Sequence, residues 1–361
     1  MSIRIKHLFP SIALILLVSC ASPQTRTPTV DKQDAQTEAR KQQELVMEAW
    51  MDDNRRLQAV SSKILVSGAE LCGEQTGPYF GIDVWTKYGL PKGWEDAAQS
   101  RFNLGDELQL SMVAPGSPAE IAGLQVGDVV LGLNGQSIPG GREAKKRFGE
   151  LLKVVSTDGL PVNFFIRHDS QEQQIQVSPV AACDFRVELS DEEQKNAHAD
   201  GKKIVINKGM MDFFKSDEEI ALVVSHELAH NSMKHIDSQK TNAIVGGAIG
   251  LLLDIAAAVG GVNTSGDFSR IGSNLGGGAY SIEFEEEADY VGLYFMALAG
   301  YDIDNAANFW RRMATANPKA ITIKTSHPTS PERFLAIEST VMEIKDKSES
   351  GQPLKPELKG K

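Results

Sequence analysis

Cysteine is scarce in this chain of 361 residues, with three in all, at positions 20, 72 and 183. That excludes a disulfide-dense scaffold and a four-cysteine metal knuckle. Basic residues are also in deficit, 37 against 48 acidic, for a formal net charge of -11. A phosphate-binding surface needs clustered Lys and Arg, so no nucleic acid is expected as a partner. Long apolar runs are few: Leu8 to Val18 is too short to span a bilayer as a mature helix, and only Ala243 to Val262 approaches that length. The apolar fraction, 41%, is ordinary for globular protein, and the length allows two domains with real cores.

The N-terminus carries an address. Arg4 and Lys6 precede the short apolar run, the pattern of a signal peptide over residues 1–19. A retained signal anchor is the competing reading, opposed by Pro10 and the short length. Leu17-Val18-Ser19-Cys20 resembles the bacterial lipobox. The resemblance implies that the mature chain begins at a lipidated Cys20, and the absence of aspartate at Ala21 favours the outer membrane, facing the periplasm. Cys72 and Cys183 then remain as an even pair in an oxidising compartment and read as a disulfide, with two unpaired buried thiols as the alternative. Residues 20–66 form a tether, rich in Pro, Thr and Gln, and an amphipathic helix marked by Leu45, Trp50, Leu57 and Val60 that leads into the first domain. Residues 345–361, polar with two prolines, read as a disordered tail.

Between Cys72 and Cys183 apolar strands alternate with glycine turns. Ser117 can cap a short helix with Pro118 at its first position, and Gly123 ends it. Gly127-Asp128 makes a turn, and Val129 to Leu133 reads as a buried strand closed by Asn134-Gly135. This stretch resembles a PDZ domain of the protease-associated kind, over residues 67–183. The resemblance implies a groove for a peptide C-terminus, with Tyr79, Phe80, Gly81 and Ile82 as the carboxylate loop. A PDZ fold that only packs on its neighbour is the plainer alternative.

The chemistry lies in residues 184–344. Ser216-Asp217-Glu218-Glu219 has the spacing of a capping box and opens a helix on which His226-Glu227-Leu228-Ala229-His230 follows. Histidines four apart share one helix face and can bind one zinc, and Glu227 is placed to take a proton from the attacking water. A pair of ordinary helix histidines is the alternative. Against it stands a second helix with Glu285-Glu286-Glu287-Ala288-Asp289, in which Glu285 and Asp289 share a face.

Together the two motifs resemble metallopeptidase family 48, which contains the CAAX prenyl endopeptidases and the HtpX heat-shock proteases. The resemblance implies a zincin of the gluzincin type, with Glu285 as third zinc ligand and Asp289 as the acid that orients a ligand histidine. Thr325-Ser326-His327-Pro328 resembles the family's Ser-His-Pro segment, which implies that His327 approaches the cleft as an oxyanion stabiliser or a resting ligand. Ser281-Ile282 departs from the Ser-Arg of many members, so that arginine's contribution is absent or supplied elsewhere. His235, five residues after His230, falls off the zinc face and reads as a surface residue. Ala243 to Val262 cannot cross a membrane once without parting His230 from Glu285, and Asp254 interrupts it. A helical hairpin or lid near the cleft is expected instead, with Gly272 to Gly278 as its loose end.

The expected architecture is α+β, a PDZ-like β-rich domain followed by a mainly α-helical metalloprotease domain. The expected function is endopeptidase action, with one zinc per chain, on unfolded or misfolded envelope proteins, the PDZ domain recruiting or gating substrate. A latent, PDZ-led binding or chaperone lipoprotein with a closed zinc site is the rival from another class.

Overall fold

The computed structural model describes residues 25–259, 264, 265, 267, 269, 270, 282–316 and 331–359. The residues read as a signal peptide, Cys20 and the segments holding Gly272 to Gly278 and His327 lie outside the described residues.

Helix α1 (Lys32–Ser67) starts at Asp31, whose carboxylate accepts the Gln33 N–H at 2.7 Å. Its C-terminal half buries Leu57, Val60, Ile64 and Leu65 in the same core as Ile220, Val224 and Leu228 of the helix that carries His226 and His230. The helix is therefore part of the second unit's core, and Met47 in its N-terminal half also packs with Ala97, Ala98 and Leu104, which follow in the first unit as the sequence suggests. Leu45, on the N-terminal half, is exposed. The short helix α2 (Ala69–Cys72) and strand β1 (Thr76–Tyr79) follow.

The β-rich unit is an excursion from a two-stranded ribbon. β1 pairs antiparallel with β8 (Val180–Cys183), Thr76 opposite Cys183 and Tyr79 opposite Val180. Between them lie β2 (Ile82–Trp85), α3 (Glu95–Phe102), β3 (Gln109–Val113), α4 (Pro118–Ala122), β4 (Val129–Leu133), β5 (Gln136–Ser137), α5 (Ala144–Val155), β6 (Val162–His168) and β7 (Gln171–Val177). The sheet runs β2-β3-β4-β6-β7, with β5 on β4, and all its pairs are antiparallel. Local signals read from the sequence are all in place here. Ser117 Oγ accepts the Glu120 N–H with Pro118 at the helix start, and Gly123 closes α4 at φ 98°. Asn134 and Gly135 both take positive φ, as the tight turn between β4 and β5 requires. Phe80, Val84, Leu110, Val130, Leu133 and Phe164 fill a separate core.

The second unit begins with β9 (Arg186–Ser190), β10 (Ala197–Ala199) and β11 (Lys203–Asn207), in the order β10-β11-β9. Then come α6 (Lys208–Met211), α7 (Asp217–Ser232), α8 (His235–Val259), α9 (Ile282–Leu298), α10 (Ala306–Ala316) and α11 (Pro331–Glu349). The capping box forms only in part. Ser216 makes no side-chain cap, while the Glu219 carboxylate accepts the Lys215 N–H and grips Arg312 through both oxygens at 2.6 Å.

Two expectations are corrected. The C-terminal residues are not a free tail: α11 runs to Glu349, and Lys347 is buried, donating to the Tyr294 hydroxyl and the Lys355 carbonyl. The Glu357 N–H donates to Tyr290, so the strap is fastened at both ends to α9. A polar composition hid this because the anchoring groups are themselves polar and find partners far along the chain. α8 in turn is not a lid packed over the described part of the cleft. Ile244, Ile249, Leu252, Leu253 and Val259 are exposed, and Ala243, Gly247, Asp254 and Ala257 make the covered face. Asp254 is sealed on that face, accepting the Ser269 N–H at 2.9 Å and the Thr264 hydroxyl, so the chain does turn back along the helix.

Cys72 and Cys183 form a disulfide, with Cα atoms 5.6 Å apart, at the base of the β1–β8 ribbon. It closes 111 residues of chain, and the chain-entropy account assigns such a loop about 4–5 kcal/mol. Cys72→Ser with Cys183→Ser should therefore lower the denaturant midpoint strongly. Reductant should shift the unaltered protein the same way and leave the double variant where it is; equal midpoints for all would refute this.

Candidate metal centre

Every residue of α7 from Ile220 to Asn231 is buried, so the helix is the axis of the second unit rather than a surface element. α9 lies against it at very short range. A Cβ on Gly292 would stand 3.1 Å from the His226 backbone nitrogen and 3.2 Å from its Cα, a contact so tight that one backbone would have to give. Glu285, Asp289 and Gly292 occupy one stripe of α9 at helical spacing, so the same approach that needs the glycine delivers both acids to α7.

There His226, His230 and Glu285 converge. The two Nε2 atoms are 3.1 Å apart. Glu285 Oε2 lies 3.5 Å from His226 Nε2, and its Oε1 lies 3.3 Å from His230 Nε2. All three side chains are buried, and one ligand atom from each falls within 4.8 Å of the others. Two imidazole nitrogens and a carboxylate oxygen are the donor set of a three-residue catalytic zinc site. Glu227 is buried in the same turn.

The surroundings set the imidazole orientation. His226 Nδ1 lies 2.9 Å from Asp289 Oδ1, which leaves Nε2 facing Glu285 and His230. Burial opposes a charge on His226, but Asp289 and Glu285 outweigh it and push the imidazole of the metal-free protein up to about 10. The cluster thus favours a cation at this spot, which a metal ion supplies in place of the proton. Burial alone would raise the Asp289 carboxyl, yet Arg333 and His226 hold it below its ordinary value.

Arg333, in the first turn of α11, is the residue that sequence reasoning missed. It is 2% exposed and bridges both acids: Nε and Nη2 meet the two Asp289 oxygens at 2.8 and 2.9 Å, and Nη1 meets Glu285 Oε2 at 2.9 Å. A single arginine in a helix start reads as surface. The available signal was the acidic excess of residues 285–289, which demands a base from elsewhere. Ile282 is exposed and brings no charge, so a guanidinium does reach these carboxylates, from α11.

His235 also departs from its expected place. It is 1% exposed, with Nδ1 2.9 Å from His230 Nδ1 and Nε2 2.8 Å from Glu287 Oε2. A five-residue offset misplaces it because α7 ends at Ser232 and Lys234 adopts φ 57°, so His235 opens a new helix in another direction. Burial pushes its imidazole down, against the pull of Glu287.

The Tyr79–Ile82 loop joins β1 to β2. Phe80 is buried, its carbonyl accepts the Ala119 N–H, and the Gly81 carbonyl accepts the Ala114 N–H. Gly81 sits at φ 79°, with Ser117 filling the place of a Cβ.

Removing Arg333 would leave two buried carboxylates without it, and breaking such a pair costs about 3–5 kcal/mol. Arg333→Met should destabilise the metal-free protein by that order in denaturant titrations, and zinc should recover part of the loss. An unchanged midpoint in the presence of chelator would contradict the bridging role.

Residues 167–341 match the profile of peptidase family M48. Residues 111–157 match that of the PDZ domain. Mitochondrial metalloendopeptidase OMA1 of Schizosaccharomyces pombe is 32% identical over 154 residues, 42% of this chain and 44% of that protein. OMA1 of Arabidopsis thaliana is 32% identical over 144 residues, 39% of this chain and 28% of its own length. A Vibrio cholerae protein described as a beta-barrel assembly-enhancing protease is 30% identical over 121 residues, 32% of this chain and 25% of its own length. The chain thus spans less than half the length of these relatives. One match thus falls on the β-rich unit and the other takes in the helices that bring His226, His230 and Glu285 together, so the chain is similar to the PDZ domain in its first unit and to peptidase family M48 in its second.

Proposed function

We propose that this protein is a zinc metalloendopeptidase holding one zinc on His226, His230 and Glu285. The observation that carries the reading is the convergence of those three buried donors. When bound, the metal acidifies a water molecule and polarises the scissile carbonyl. Glu227 takes the proton of the attacking water and delivers it to the leaving amine. Asp289 keeps the His226 ring oriented, and Arg333 holds Glu285 and Asp289 in place. His327 is assigned to the oxyanion or to a resting contact.

Unfolded or misfolded envelope proteins are the proposed substrates, and the assembly-enhancing and mitochondrial proteases among the relatives support a quality-control role. The PDZ domain is proposed to recruit them by their C-termini at Tyr79–Ile82. Support comes from β2, which is the edge strand of its sheet. Beside it lies a cavity of about 830 Å3 lined by Trp50, Val84, Trp85, Leu90, Trp94 and Leu189. One feature favours the second reading, a latent or chaperone-like protein. The Val84 N–H on this edge donates to the Asp83 carboxylate, which Lys145 contacts at 3.3 Å, so the strand is partly closed by its own side chains.

The proposed location is the periplasmic face of a bacterial outer membrane, anchored at Cys20. The exposed apolar side chains of α8, spread over roughly half the helix circumference, support contact with lipid, because a helix packed on protein shows a narrower stripe.

Cleavage of casein by the detergent-solubilised chain tests the enzymatic reading. Glu227→Gln should keep its zinc and lose about 100-fold to 10,000-fold in rate. Zinc in both proteins with cleavage by neither would favour the latent reading, and absence of zinc would remove the proposal. For the membrane, Cys20→Ala should leave residual flotation with liposomes, which replacing Leu251, Leu252 and Leu253 by serine should abolish. Flotation unaffected by the serines would count against α8.

A further inference from the structure

We infer that His235 and Glu287 form an orienting relay for His230, a role that rests on the proposed metal site and assigns two residues to it. The two candidate ligand histidines are supported differently. His226 meets a carboxylate directly, Nδ1 to Asp289 Oδ1 at 2.9 Å. His230 meets a second histidine, Nδ1 to Nδ1 at 2.9 Å, and that histidine meets the carboxylate of Glu287 at 2.8 Å.

Proton positions along this path follow from valence. For His230 Nε2 to offer a lone pair toward Glu285 and His226, the ring proton must sit on Nδ1. His230 then donates, and His235 Nδ1 must accept. A neutral His235 that accepts at Nδ1 carries its proton on Nε2, where Glu287 Oε2 is the acceptor it faces. Each group has one role, and each role agrees with the next. The reverse assignment, with His235 donating to His230, places the His230 proton on Nε2, against the neighbouring ligand atoms. The direction of one hydrogen bond therefore decides whether His230 is a ligand, and Glu287 at the end of the path sets that direction.

The His235 ring is held for this purpose on two sides. It is 1% exposed and stacks on Phe284 at 4.6 Å between centroids and 20° between planes. Phe284 and Glu287 are three apart on α9, so one face of that helix supplies both the flat contact and the acceptor. The left-handed Lys234 turns the chain so that the next residue returns to His230.

The test is zinc affinity of the full chain by chelator competition, together with ring-nitrogen NMR of His230 and the unfolding midpoint of each metal-free variant. Loss of an outer partner of this kind weakens metal binding about 10-fold to 100-fold, which is the result expected for His235→Leu. His235→Gln retains an acceptor oxygen and a donor amide and should stay within a few-fold of the unaltered chain. Glu287→Gln, at a half-exposed position that does not threaten folding, should weaken binding and reduce the His230 Nδ1–H signal. Unaltered protein that binds no zinc would overturn the metal site and the relay together. Zinc bound equally by the unaltered chain, His235→Leu and Glu287→Gln would leave the site standing and overturn the relay. His235→Gln as weak as His235→Leu would reduce His235 to a packing residue and overturn it as well.

Discussion

The close crossing of α7 and α9 is the constraint on which the rest of the metal centre depends. At Gly292 the two backbones approach so nearly that a single added carbon would meet the His226 main chain at 3.1 Å. Helices separated by ordinary side chains lie about 8–10 Å apart, and at that distance an acid on one does not reach an imidazole on the other at hydrogen-bond range without a long, mobile side chain. The glycine lets a short aspartate span the gap to His226, and with few rotatable bonds the ring is held more firmly. Gly292 is thus a positioning device, although it carries no chemistry of its own.

Beyond this crossing, two faces of one helix perform several tasks. Glu285 lies against both histidine Nε2 atoms, Asp289 meets His226 Nδ1, and Phe284 and Glu287 hold the residue that touches His230. Because these groups lie within two turns of one helix, their spacing is fixed by the backbone and not by loops. Lys347 near the end of α11 binds Tyr294, and Glu357 in the segment after it binds Tyr290 on the same helix, so the chain's last described residues brace the element with the most demanding geometry. The β-rich unit lies outside this arrangement. It leaves from β1 and returns at β8, with the disulfide at their base, so its insertion needs no rearrangement of the peptidase core.

What the sequence made legible follows the reach of local rules. His226 with His230, and Glu285 with Asp289, are pairs four apart on uninterrupted helices, where periodicity alone fixes a shared face. The turns of the β-rich unit are local in the same sense, since Ser117, Gly123 and Asn134-Gly135 each act within a few residues. His235 was misread where that rule stops, at a helix break that no strong breaker residue announces: Met233 and Lys234 are ordinary helix formers. Arg333 and Lys347 escaped for a different reason. Their partners are 44 and 53 residues away, and a charged residue in a helix reads as solvated until its partner's position is known.

Charge balance ties these residues to one another. Among the described residues of the cluster, three buried carboxylates, Glu227, Glu285 and Asp289, stand against one buried guanidinium, Arg333. Uncompensated charge in a core is costly enough that a protein either protonates it or supplies a counter-ion. In the metal-free protein the demand is visible at His226, pushed toward its charged form by its two acidic neighbours. A divalent cation at the three donors would neutralise the remaining excess and allow both imidazoles to be neutral ligands at once. An ordinary helical core has no reason to collect these groups, because apolar residues of the same volume would be at least as stable. The arrangement therefore sacrifices stability for a site, and Arg333 limits that cost by offsetting one of the negative charges without occupying a donor position.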